Sequence, residues 1–86
     1  MTIGKITKLI KDRGFGFITD DFGTLYFFHY SAINPKSSIK FDNLMEGMEV
    51  EFTGEPGDKG PRAKPRTLLV KYGNNNLSDN NAINNG

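Results

Sequence analysis

The chain has 86 residues, 36% of them hydrophobic, no cysteine and a formal net charge of +1. That describes one small domain, near the size at which a single core just suffices. It excludes a disulfide framework and thiol chemistry. No apolar run approaches a membrane span, and the first residues lack the apolar core of a secretory signal. The expectation is a cytoplasmic protein with no membrane partner.

Residues 2–11 carry apolar side chains at Ile3, Ile6, Leu9 and Ile10. Their alternation is imperfect, as a strand with a bulge or bend would give. Lys11-Asp12-Arg13-Gly14 supplies a turn. Arg13-Gly14-Phe15-Gly16-Phe17-Ile18 follows as a strand, with Phe15 and Phe17 on one face and Ile18 on the other. Glycines between the rings leave the second face open to close approach by another segment. Asp20-Asp21-Phe22-Gly23 reads as a turn into a strand over residues 25–30.

That strand holds Tyr26-Phe27-Phe28-His29-Tyr30. Five consecutive rings cannot all enter one small core. Alternation puts Tyr26, Phe28 and Tyr30 inward and Phe27 and His29 outward. Paired as antiparallel neighbours, the two aromatic strands set Phe15, Phe17, Phe27 and His29 on one surface. Four such rings make a platform on which unpaired bases can stack.

A short helical turn is expected at residues 31–33, then a long loop over residues 34–46, where no apolar stripe runs and Asn34-Pro35 disfavours helix. Phe41 near its end is expected to add a ring to the platform; packing over the barrel mouth is the alternative. Met48, Val50 and Phe52 alternate with Glu49, Glu51 and Thr53, the cleanest period-two pattern in the chain. Residues 54–61 are dense in Gly and Pro and read as a hairpin connection. They lack the Lys-Ser/Thr ending of a phosphate-cradling loop. Residues 62–70 read as the last strand, interrupted or at an edge because of Pro65. Residues 73–86 are rich in asparagine and are expected to be a disordered tail.

The expected fold is all-β: a five-stranded antiparallel OB-type β-barrel over residues 1–72 with a flexible tail over residues 73–86. Charge is segregated along it. Lys5, Lys8, Lys11 and Arg13 lie early, and Lys59, Arg62, Lys64, Arg66 and Lys71 late. Asp42, Glu46, Glu49, Glu51 and Glu55 lie between. Cations flanking a ring surface point to nucleic acid.

Over residues 2–71 the sequence resembles the cold-shock domain proteins. Arg13-Gly14-Phe15-Gly16-Phe17-Ile18 resembles the family's first ribonucleoprotein motif. Phe27-Phe28-His29-Tyr30-Ser31-Ala32-Ile33 resembles the second. Glu46-Gly47-Met48-Glu49-Val50-Glu51-Phe52 and Lys59-Gly60-Pro61-Arg62-Ala63 match the fourth strand and the hairpin after it. The resemblance implies a barrel that binds pyrimidine-rich single-stranded RNA or DNA by stacking, often as an RNA chaperone; a monomer is expected. A domain-swapped or edge-paired dimer is the alternative state. It gives the stacking positions to Phe15, Phe17, Phe27, His29 and Tyr30, which turns Tyr30 outward, and adds Phe41. Lys11, Arg13, Lys59 and Arg62 become phosphate or base-edge contacts. The family's tryptophan position is Lys8 here, which implies binding more sensitive to salt and less selective for bases. Tyr26 and Phe28 stand where the family has valines, so the core must be repacked.

Two other binding modules fit part of the pattern. An RNA-recognition motif shares much of the Arg13–Ile18 stretch but needs two amphipathic helices that are missing here. A protein-binding barrel could use the same aromatic face. One histidine and no cysteine offer no catalytic or metal-ligating constellation, so neither enzymatic activity nor a cofactor is expected.

Overall fold

The computed structural model describes residues 1–72, so the Asn-rich segment, and any expectation for it, lies outside the described residues. Among them are seven strands: β1 (Thr2–Ile10), β2 (Phe15–Asp20), β3 (Leu25–His29), β4 (Glu49–Phe52), β5 (Gly54–Gly57), β6 (Gly60–Ala63) and β7 (Leu69–Tyr72). They form one curled sheet in the order β5-β6-β3-β2-β1-β4-β7, the all-β architecture of an OB-type barrel. Single 3₁₀ turns occupy Lys11–Arg13, Tyr30–Ala32 and Phe41–Asn43.

The expected five strands become seven through two breaks. The chain bends after Phe52, so β4 stays with β1 while β5 pairs β6, Gly54 opposite Ala63 and Gly57 opposite Gly60. The Gly- and Pro-rich stretch is therefore a paired hairpin whose outer arm, β5, is an edge strand; proline is tolerated there because no ladder bond is lost. The expected last strand over residues 62–70 is split by a turn at residues 64–67. The Thr67 amide donates to the Lys64 carbonyl across Pro65 and Arg66. Arg66 has φ +67°, at the turn position that usually takes glycine.

Packing follows from the register of β2 against β3. Gly16 faces Phe28, and Phe17 faces Phe27. A Cβ on Gly16 would stand 2.5 Å from the Lys8 carbonyl oxygen and 2.8 Å from the Phe28 ring. The missing side chain thus makes room for Phe28, which is fully buried with Ile6, Ile18, Leu44, Val50, Phe52 and Leu68. Tyr26 meets Phe52 edge-on at 5.0 Å. These contacts show how two bulky residues at inward positions are accommodated. At the β2–β3 turn, Asp20 Oδ1 accepts from the amides of Phe22 and Thr24 at 2.9 and 2.8 Å, which closes the turn.

β1 carries the irregularity that its sequence suggested. Ile6 pairs Ile18, but Lys8 pairs Phe17, so Thr7 is the extra residue of a bulge. Strict alternation would send Lys8 inward with Ile6 and turn Leu9 outward. The bulge reverses the phase: Leu9 packs on the core and Lys8 is exposed. Just before β4 begins, the Glu46 carboxylate accepts from the Leu9 amide at 3.1 Å.

Two substitutions test this account in urea unfolding. Gly16→Ala is expected to cost about 3 kcal/mol, because strand and ring must both move. Arg66→Gly is expected to gain about 0.5–1 kcal/mol, since relief of the left-handed conformation exceeds glycine's extra chain entropy.

Candidate nucleic-acid interface

Period two does most of the assembly. Because Gly16, Ile18 and Phe28 point inward, Phe15, Phe17, Phe27 and His29 must point outward. The pairing then arranges them in rows. One row runs Ile10, Phe15, His29 across β1, β2 and β3. The next runs Lys8, Phe17, Phe27, Arg62 and reaches β6, which lies parallel to β3 at that point. The bulge at Thr7 is what brings Lys8 into this row.

The three phenylalanines form a cluster. Phe15 lies 5.4 Å from Phe27 at a 31° tilt. Phe17 stands edge-on to both, 6.1 Å from Phe15 and 6.0 Å from Phe27. Each supports the others, yet the cluster stays open to solvent: Phe27 keeps 37% of its surface and Phe15 and Phe17 are half-buried. Such an apolar patch on a small domain is a candidate binding surface.

His29 ends β3 and caps the turn Tyr30–Ala32. Its Nδ1 accepts from the Ser31 amide at 3.3 Å and lies 3.0 Å from Ser31 Oγ. A backbone amide can only donate, so Nδ1 carries a lone pair and the neutral ring holds its proton on Nε2. Tyr30 lies 4.1 Å from the His29 ring at a 35° tilt and is 56% exposed, outward as the resemblance implies. It settles over Gly14, whose φ of +76° and absent Cβ leave space for the ring. Phe41 lies between the core and an exposed ring. It is half-buried against the core, 6.1 Å from Phe28, and it meets Tyr30 at 6.4 Å.

Four of the five expected cations divide between two grooves. One, of about 560 Å³, lies between Phe17, Leu25 and Phe27 and the hairpin residues Gly57–Arg62, and includes Lys59 and Arg62. Arg62 Nε donates to Glu55 at 2.7 Å, so part of its charge is already answered. The other, of about 680 Å³, lies between the turn holding Lys11 and Arg13, the ring of Tyr30, and the loop with Lys40 and Phe41. Lys11 Nζ donates to the Asp42 carbonyl at 2.9 Å and clips that loop in place. The rings thus lie between two cation-bearing grooves, with Lys8 exposed on the β1 side.

Two outward residues escaped the sequence reading. Ile10 joins the outer face only because of the bulge, which no pattern located. Leu25 was legible: it lies two residues before Phe27 in the same strand and is 52% exposed. Two-bond ¹H–¹⁵N spectra of neutral His29 are expected to show the proton on Nε2; a proton on Nδ1 would contradict the capping bond.

Comparison with known proteins bears on all of this. A family model described as 'Cold-shock' DNA-binding domain matches residues 2–67. The chain is 43% identical over 63 residues to Cold shock protein 2 of Lactiplantibacillus plantarum, covering 73% of this chain and 91% of that protein. It is 48% identical over 64 residues to cold shock-like protein CspJ of Salmonella typhi, covering 69% and 87%. A cold shock-like protein of Thermotoga maritima is 43% identical over 60 residues, covering 70% and 86%.

Proposed function

The chain belongs to the cold-shock domain family of nucleic-acid-binding domains, and on that footing we propose that it binds single-stranded RNA or DNA by stacking bases on Phe15, Phe17, Phe27 and His29. The observation that carries this reading is the three-ring cluster, open to solvent and lying between two cation-bearing grooves. Tyr30 and Phe41 extend the stacking surface toward the second groove. Lys8, Lys11, Arg13, Lys59 and Arg62 hold the backbone. With Lys8 flanking Phe17 in place of a ring, affinity rests more on charge and less on base identity.

No chemistry is required of such a protein. Every base held on the platform is withdrawn from pairing, so binding energy alone shifts weak RNA structure toward the open strand. On this reading the protein works as a monomer in the cytoplasm, as an RNA chaperone or regulator of transcription or translation without ATP, with pyrimidine-rich strands as its best ligands.

Fluorescence anisotropy with labelled oligodeoxythymidine, oligodeoxyadenosine and duplex tests the proposal. Single strands are expected to bind better than duplex. Phe15→Ala and Phe27→Ala are each expected to weaken binding by about 1–3 kcal/mol per lost stack. Unchanged affinity in both variants, with the fold intact, would reject stacking and favour a protein partner for the aromatic face.

A further inference from the structure

Residues 62–68 run parallel to residues 27–33. Arg62 pairs with Phe27 at one end and Leu68 with Ile33 at the other, with the same offset between the two segments. Between them the Arg66 amide donates to the Ser31 carbonyl at 3.1 Å. The segment that breaks the expected last strand therefore lies directly beside the strand and turn that carry Phe27, His29 and Tyr30.

Side-chain direction follows from Ala63, which is 4% exposed and points into the core. Arg62 and Lys64 on either side of it point outward. Arg66 is also exposed, two residues further on. Arg62 and Lys64 are successive outward positions of extended chain, about 6.7 Å apart, close to the phosphate spacing of a stretched single strand, and Arg66 follows them in the turn. The backbone of this segment is committed. The Lys64 amide donates to Thr53 at 2.7 Å, and its carbonyl receives the Thr67 hydroxyl at 2.7 Å. The side chains of Lys64 and Arg66, by contrast, join no ion pair or hydrogen bond with a described residue. Arg62 does, through Glu55. Two uncommitted cations thus stand beside the ring column.

We propose that Lys64 and Arg66, continuing from Arg62, form a phosphate track along the β3 edge of the platform. It holds the backbone of the strand whose bases lie on Phe27 and His29. The proposal rests on the single-strand reading above and adds two contacts to it. Arg66 occupies a turn position where glycine would relax the backbone, so its side chain and its fold energetics act in opposite directions.

That opposition gives the test. Binding of labelled oligodeoxythymidine is measured between 0.1 and 1 M salt for the wild type, Lys64→Gln, Arg66→Gly and Lys71→Gln. Each lost phosphate contact lowers the salt slope by about 0.7. Lys64→Gln and Arg66→Gly are therefore each expected to bind roughly five-fold more weakly at 0.1 M, with the difference vanishing at 1 M. Arg66→Gly should do so while unfolding at higher urea. Lys71, paired with Glu51 at 4.0 Å on β7 at the far edge of the sheet, should leave the slope unchanged. Wild-type slopes in Lys64→Gln and Arg66→Gly, with Phe27→Ala still weakening binding, would overturn the track alone. An equal drop in Lys71→Gln would also overturn it, since net charge would then account for the effect. No binding by the wild type would overturn the single-strand reading and the track together.

Discussion

The close approach of Phe28 to the bare backbone of Gly16 decides which way everything else on the aromatic strands faces. With Phe28 fully buried against that glycine, the pleat leaves no choice for its neighbours. Ile18 and Tyr26 join the interior, and four rings are turned to water. A slip of one residue between β2 and β3 would exchange the two sets and leave the core without one of its two largest members. The burial of one phenylalanine and the exposure of three others are therefore one constraint.

Rings turned outward forgo the stabilisation that burial would bring, roughly 1.5–3 kcal/mol each if complete. The fold recovers part of it by packing the three phenylalanines on one another and by covering Phe41 and part of the Tyr30 ring. It then surrounds them with cations brought from four separate places: a bulged strand, a turn, a hairpin tip and a parallel crossing segment. Cations drawn from so many segments can follow a flexible polyanion along the surface. On the proposed function, that arrangement suits a backbone held without being read.

Much of this was legible in the sequence because the decisive pattern is local. Alternation in Arg13–Ile18 and Tyr26–His29 sorts the rings by face but sends Tyr30 the wrong way, because β3 ends at His29 and Tyr30 begins a turn; Val50 and Phe52 fall inward as their period-two setting predicts. What escaped depends on pairing partners. The extra residue at Thr7 cannot be located without knowing that Lys8 opposes Phe17. The Gly- and Pro-rich residues after Phe52 look like a loop until β5 finds β6. Pro65 signalled trouble in the last strand, but a left-handed arginine, where glycine is the usual choice, gave no signal of a turn.

The parallel contact between Phe27 and Arg62 has a kinetic consequence. β1, β2 and β3 meet their neighbours across short turns, so that meander forms at small loop-closure cost. β6 must instead return across the long stretch containing β4 and β5, and closures of that span come late. During synthesis or refolding, the aromatic surface would thus exist before the β6 side of its cationic border. In that interval the half-built domain is a sticky hydrocarbon plate, and its hazard is self-association.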